Sequence, residues 1–302
     1  MFGETHGRAI FVDMATDPDQ SMEVSPRRVL VVGLPETGKS SFIHALDEVL
    51  KHPVTPHDLR SYGLAPDRSY IQSGKPKFLA GQKLDRTDRQ IEDTSVELLF
   101  EHPPTGQRGR LLLPDKKGEI FRDQWVDRQW RKDYRESLEG IAGVLVFVRA
   151  DEKSRNDELL GTLAKEAGES NKEPRPWNLK DASGQVQLVD VLQFIVERGE
   201  VPQPLRIAVL ISAWDTVGQA GDLRPRDPTK FLDREWALLA QYLRANPHFF
   251  NEKIFGVSAY GGPPGELGEL FEQPPHERAQ LTEGTETMRD LTRPLRWLLE
   301  LE

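Results

Sequence analysis

The chain has 302 residues, enough to bury a substantial core, and its 40 Lys and Arg against 49 Asp and Glu leave a net charge of −9. That balance argues against a nucleic-acid-binding surface as its main business, while leaving room for a local basic patch. There is no cysteine, so disulfide frameworks and thiolate metal sites are excluded and a reducing compartment is the default. No apolar run approaches the ~20 residues that span a bilayer, and the N-terminus has no signal-peptide core. The expected compartment is the cytoplasm, with no membrane partner.

Residues 1–26 are mixed and polar apart from Ala9-Ile10-Phe11-Val12, which reads as a short edge strand or as part of a disordered arm. Arg27 to Val32 predicts a buried central strand. Ser40 to Leu50 predicts a helix with Phe42, Ile43, Leu46, Val49 and Leu50 on one face. Residues 52–90 are rich in Pro, Asp, Arg and Gly without sustained periodicity, and predict a long irregular segment of the kind that carries function. Thr94 to Glu101 and Gly109 to Pro114 predict two strands, joined by a turn over His102 to Arg108. Ile120 to Leu138 has a helical pattern that carries Trp125, Trp130 and Tyr134.

Ile141 to Val148 is a near-continuous apolar strand, as a sheet covered on both faces requires. Residues 151–180 are polar and charged, an excursion from the core. Val186 to Val196 predicts a helix, Ile207 to Ile211 a buried strand, Phe231 to Leu243 an amphipathic helix and Ile254 to Val257 a short strand. Residues 261–284 read as a Gly/Pro/Glu-rich loop. A last helix is expected from Glu286 to Leu301, with Met288, Leu291, Leu295, Leu298 and Leu299 inward, and with Pro294 kinking it or starting it afresh. Together these elements predict one elaborated α/β domain over 27–302. Its sheet is largely parallel with one antiparallel edge strand, and helices on both faces make three layers.

The run Gly33-Leu34-Pro35-Glu36-Thr37-Gly38-Lys39-Ser40 fits the phosphate-binding loop pattern G-x-x-x-x-G-K-[ST] without deviation, between a strand and a helix. Glycines let such a loop curl its amides around phosphate oxygens, and the helix N-terminus adds partial positive charge. Lys39 can reach the outer phosphates, Ser40 can ligate Mg²⁺, and Ser41 continues the cradle. Asp115-Lys116-Lys117-Gly118 follows the strand ending at Pro114. Asp115 can hold Mg²⁺ through water and the Gly118 amide can donate to a γ-phosphate, although a turn Asp capping the next helix has the same letters. Two further strands run into Ser212-Ala213-Trp214-Asp215 and Ser258-Ala259-Tyr260. A carboxylate at Asp215 can accept from both donors on the guanine edge, and the Ala259 amide beside Ser258 can donate to O6. Taken singly, each motif reads first as a strand-to-loop junction with a capping Ser or Asp.

In this order and spacing the four motifs resemble the first, third, fourth and fifth sequence elements of Ras-like (TRAFAC-class) P-loop GTPases. The phrases GLPETGKSSFIHAL, LLLPDKKGEIF and RPLRWLL are most similar to the bacterial double-GTPase families, which are associated with conflict or defence-type systems. The resemblance covers roughly residues 27–302. It implies a P-loop NTPase fold, GTP or GDP with Mg²⁺ as ligands, and a molecular switch that hydrolyses GTP to GDP, slowly without a partner. It also implies a protein effector or GTPase-activating partner docking near the switch segments.

The departures from the pattern are specific. Ser212 and Ala213 stand where Asn and Lys are expected, so the Lys stem that covers the base is missing, and either guanine affinity is weaker or Trp214 or Tyr260 covers the base instead. The second element must supply a Thr that senses Mg²⁺ and the γ-phosphate. Thr87 is the choice and Thr94 the rival. Arg86 beside it reads as an arginine finger supplied in cis or as an exposed loop arginine. Glu119 stands where a water-orienting Gln is common, or is an acidic first-turn residue. Trp125 and Trp130 read as core aromatics or as a nucleotide-dependent docking surface. The seven histidines show no HExxH or paired spacing, so the metal is expected to arrive with the nucleotide. Two other readings stay open: a nucleotide-holding signalling or scaffold module with little hydrolysis, and an ATPase of another P-loop class.

Overall fold

A computed structural model describes residues 25–55, 58–63, 65, 67–84, 95–114, 124–127, 132–151, 182–198, 200–219 and 221–301. The chain opens with β1 (Arg27–Gly33), whose Val29 to Val32 are fully buried, and turns through the glycine-rich loop into α1 (Lys39–Lys51). A two-residue strand β2 (Arg60–Ser61) and a helix α2 (Ser69–Leu79) follow. Next come the hairpin β3 (Val96–His102) and β4 (Gln107–Leu113), then α3 (Lys132–Ser137) and β5 (Ile141–Arg149). The second half holds α4 (Gly184–Arg198), β6 (Leu205–Ser212), α5 (Pro228–Glu235), α6 (Ala237–Ala245) and β7 (Phe250–Ser258). It closes with α7 (Pro275–Arg278), β8 (Gln280–Glu283), β9 (Glu286–Met288) and α8 (Arg293–Leu298).

The nine strands form one sheet in the order β2-β3-β4-β1-β5-β6-β7-β8-β9. The five in the middle, β4-β1-β5-β6-β7, are parallel neighbours. Buried strand residues alternate between two clusters, as the pleat requires. Val29 and Val31 pack with Phe42, Leu46, Ile71, Phe78 and Leu295 from α1, α2 and α8. Leu30 and Val32 pack with Tyr134, Leu188, Leu192, Phe231 and Leu239 from α3 to α6.

Several expectations need correction. The sheet has antiparallel strands on both edges, not one edge strand: β2 and β3 on one side, β8 and β9 on the other. β8 falls in the expected loop and β9 where the last helix was expected to begin, because both strands are short and polar, Gln280-Leu281-Thr282-Glu283 and Glu286-Thr287-Met288, and no apolar run announces them. The last helix is accordingly shorter than expected. Pro294 lies in its first turn, so of the two readings for that residue the fresh start holds, and Leu291, Leu295, Leu298 and Leu299 do face the core. Residues 52–90 are not wholly irregular. Within them α2 buries Tyr70, Ile71 and Phe78 while carrying Pro76.

The helix expected at Phe231 to Leu243 is two helices that meet at Trp236. Asp227 caps the first by accepting from the Thr229 and Lys230 amides at 2.8 and 3.2 Å. Hydrogen bonds from Trp236 N to Leu232 O and from Ala240 N to Trp236 O, at 2.9 and 3.0 Å, carry the chain across, so the junction is a kink. Residues 124–127 form a helical turn in which Trp125 is buried, in line with its reading as a core aromatic. The arm over 1–24, the excursion over 152–181 and Trp130 lie outside the described residues. Among the described residues no helix is long and apolar enough to cross a membrane.

Candidate functional site

Parallel register brings the separate motifs to one end of the sheet. Gly33 pairs with Phe147, Phe147 with Leu210, and Leu210 with Phe255, so β1, β5, β6 and β7 share one row. Each chain leaves that row within a few residues. β1 runs into the glycine-rich loop, β6 into Ser212 to Asp215, and β7 into Ser258 to Tyr260. The crevice outside the carboxyl ends of parallel strands is where open α/β sheets place ligands.

The loop is shaped by close contacts. Gly38 precedes α1 with φ 85°, and a Cβ there would lie 2.7 Å from the Cβ and Oγ of Ser212. Glu36 also takes a left-handed φ of 66°, unusual for a residue with a side chain. Thr37 Oγ1 donates to the Leu34 carbonyl at 2.8 Å, tightening the turn. Lys39 is buried, and its ammonium donates to the carbonyls of Gly33 and Leu34 at 2.7 and 2.6 Å. A buried cation beside the N-terminus of a 13-residue helix is a fitting environment for phosphate. Pro35 and Ser41 lie on the same loop and helix start, half-buried. Ser40 Oγ accepts from Tyr70 Oη at 2.5 Å.

Arg149 at the end of β5 braces the loop from the side. Its Nη1 donates to the Glu36 carbonyl at 3.1 Å, and its Nε and Nη2 pair with Asp151. Burial pushes the Asp151 carboxyl up, but the paired Arg149 outweighs it and holds the group below its ordinary value.

The base-reading candidates meet directly. Ala213 takes φ 53°, ψ 36°, and turns the chain into a 3₁₀ turn over Trp214–Thr216. Ser258, itself buried, donates from Oγ to Asp215 Oδ1 at 2.7 Å. Two junctions that are weak singly are thus one constellation, with Ala259 following Ser258 at its rim. The loop beyond is locked by Asp222, which accepts the Gly218 amide at 2.7 Å, the Arg224 amide at 2.9 Å and Arg224 Nε. Arg224 crosses to the carbonyls of Ala150 and Thr216. The hydrogen bond from Arg224 holds the Asp222 carboxyl well below the usual range, with the two amides adding to it.

Trp214 and Tyr260 were the two candidates to cover a base, and neither is free to do so. Trp214 lies over Gly256, where a Cβ would sit 2.3 Å from the ring, and meets Phe231 edge-on at 5.3 Å. Tyr260 packs on Phe78 at 4.8 Å and donates its hydroxyl to the Gln82 carbonyl at 3.0 Å. Both belong to the core. Arg86, Thr87 and Thr94, and likewise Asp115, Gly118 and Glu119, lie outside the described residues.

Sequence reading missed three residues of this region. Arg149 hides at the end of an apolar run, Arg224 in a polar loop, and Tyr70 in a stretch without periodicity. Only the last had any signal, an aromatic residue in a segment already suspected of function.

A family model described as Double-GTPase 1 matches residues 30–298. No curated protein matches the chain. Among solved structures, the crystal structure of a bacterial selenocysteine-specific elongation factor, EF-Sec, is similar at 12% identity with a TM-score of 0.39, over 92% of this chain and 29% of that one. The chain thus spans less than a third of that elongation factor's length. The family match reaches from β1 through the glycine-rich loop and both strand-end junctions to α8, and on that extent the chain belongs to the Double-GTPase 1 family.

Proposed function

We propose that the chain binds a guanine nucleotide at the carboxyl ends of β1, β6 and β7, and that it hydrolyses GTP to GDP as a molecular switch. The observation that carries this reading is the 2.7 Å hydrogen bond from Ser258 to Asp215, on the same sheet end as an intact phosphate loop. Asp215 keeps its second carboxylate oxygen for a donor edge, and the Ala259 amide lies one residue beyond Ser258. Lys39 exchanges its two carbonyl partners for phosphate oxygens, and the amides from Glu36 to Ser41 surround them, with Pro35, which has no N–H, shaping the turn before them. Stabilisation of the transferring group is electrostatic and positional.

A nucleotide-borne Mg²⁺ keeps several waters and its phosphate oxygens and needs no dedicated all-protein cage. Ser40 Oγ, one residue after Lys39, suits the role of a protein ligand, and among the described residues no group of three His, Asp or Glu forms a separate metal cage. Thr87 and Asp115 would complete the set, and the ion would neutralise charge on the phosphates. Arg86 and Glu119 are the residues proposed to act on the γ-phosphate and the attacking water. An effector or activating partner would dock beside the segments that carry them, and hydrolysis is expected to be slow until it does.

Calorimetry with Mg²⁺, comparing GTP, GDP and ATP on wild type and Lys39→Ala, tests the reading. Guanine nucleotides are expected to bind, with ATP far weaker and binding lost in Lys39→Ala. Tight ATP binding would move the protein to another P-loop class. Binding of GTP without phosphate release would favour the module that holds nucleotide and hydrolyses little, a reading supported by Glu119 standing in place of a neutral water-orienting side chain.

A further inference from the structure

Ser40 is held from both of its polar ends. His44 Nδ1 hydrogen-bonds the Ser40 carbonyl at 2.8 Å, and Tyr70 Oη donates to its hydroxyl oxygen. The second contact joins residues thirty apart on different helices, and α2 is fastened to α1 on either side of it. Arg68 pairs with Asp47 at 3.2 Å and Lys75 with Glu48 at 2.7 Å, both across the helix pair. Between these pairs Gly74 lets α2 settle directly on the His44 ring, since a Cβ there would lie 2.4 Å from Nε2. The Tyr70 ring is buried 5.7 Å from that of His44. The Tyr70 hydroxyl therefore has little freedom to be anywhere but on Ser40.

A serine hydroxyl has one hydrogen and two lone pairs. Tyr70 takes one lone pair, leaving the other for a cation and the hydrogen for an acceptor. Without this partner the Ser40 side chain is free to sample its other rotamers. We infer that Tyr70 is a positioning residue for the metal ligand: its hydroxyl holds Ser40 Oγ in the orientation that a nucleotide-borne Mg²⁺ requires. The inference rests on the guanine-nucleotide reading above and adds to it a residue outside every motif. Groups that orient a metal ligand from behind typically alter metal affinity by about 10–100-fold when removed.

The test follows release of a fluorescent GDP analogue from the full chain as free Mg²⁺ is varied, in wild type, Tyr70→Phe, Ser40→Ala and the double variant. Tyr70→Phe keeps the ring and removes one oxygen. Its Mg²⁺ midpoint for nucleotide retention is expected to rise by about 10–100-fold, with the release rate in excess chelator unchanged. The double variant should have the midpoint of Ser40→Ala alone. A Tyr70→Phe midpoint equal to wild type overturns the inference, and so does faster release of the same size with and without Mg²⁺, which marks a purely structural role. If wild type retains no guanine nucleotide at all, the reading beneath falls and takes this inference with it. Should Tyr70→Phe melt early, Lys75→Ala loosens α2 from outside and is expected to raise the same midpoint severalfold, and no shift there overturns the inference.

Discussion

Gly38 is a position at which the loop tolerates no side chain. Its φ of 85° is left-handed, and the space a Cβ would fill is taken by Ser212. Gly38→Ala is therefore expected to cost about 1–3 kcal/mol in backbone strain alone, visible as a lower Tm, and to abolish nucleotide binding in calorimetry. Asp215 and Ser258 make a second residue-scale prediction. Hydrogen bonds to a charged group are worth about 1.5–3 kcal/mol each. Asp215→Ala should thus weaken GDP binding by roughly 100-fold or more, with any weak ATP binding unchanged. Ser258→Ala, which removes one neighbour of that carboxylate, should cost roughly tenfold. Competition titrations against a fluorescent nucleotide read both. The loop was legible in the sequence because its chemistry is local: eight consecutive residues carry the turn, the amides and the cation. Trp214 and Tyr260 were not, because an aromatic at a strand end packs inward or outward according to what lies across from it. Here Gly256 and Phe78 draw the two rings into the core.

Among the elements, the connection after β6 sets the position of Asp215. Its fastener is Asp222, with Arg224 reaching back to Ala150 and Thr216. Because the folded-state pKa of Asp222 is depressed, its contribution to stability is fully present above the ordinary value of 3.8 and is lost as pH falls through the lower folded value. Asp222→Asn should lower Tm at neutral pH by about 2–4 °C. The gap to wild type should close as pH drops below the ordinary carboxylate value, and melts across a pH series check it. A gap that persisted at the acid end would mean that the carboxylate charge is not what holds the connection. The helix α2 illustrates why some elements escape a sequence reading. Gly74 and Pro76 both disfavour a helix, yet Gly74 is what lets α2 lie on His44, so burial against α1 overrides local propensity.

For the whole molecule, one sheet joins the candidate phosphate and base sites. The hydrogen-bonded row through β1, β5, β6 and β7 carries no loop between them. A ligand seated across that row binds only the folded chain and should stabilise all of it. GDP with Mg²⁺ at about 100 times its Kd should add about 2.7 kcal/mol, which for a chain of this length is roughly 4 °C in Tm by scanning calorimetry. Lys39→Ala should show no such rise, and an equal rise in that variant would argue that the nucleotide binds elsewhere.

The phosphate loop, the buried parallel strands and the order in which the motifs follow them can be read in the sequence alone, which also points to the family. Each of these is written in contiguous residues, through apolar runs, a glycine spacing and one lysine. Packing in three dimensions adds that the second sheet edge is antiparallel as well, that Ser258 bonds Asp215, that Arg149 braces the loop, and that Tyr70 rests on Ser40. The three side-chain contacts join residues thirty to more than a hundred positions apart. Their partners are chosen by strand register and helix packing, which short-range pattern does not encode.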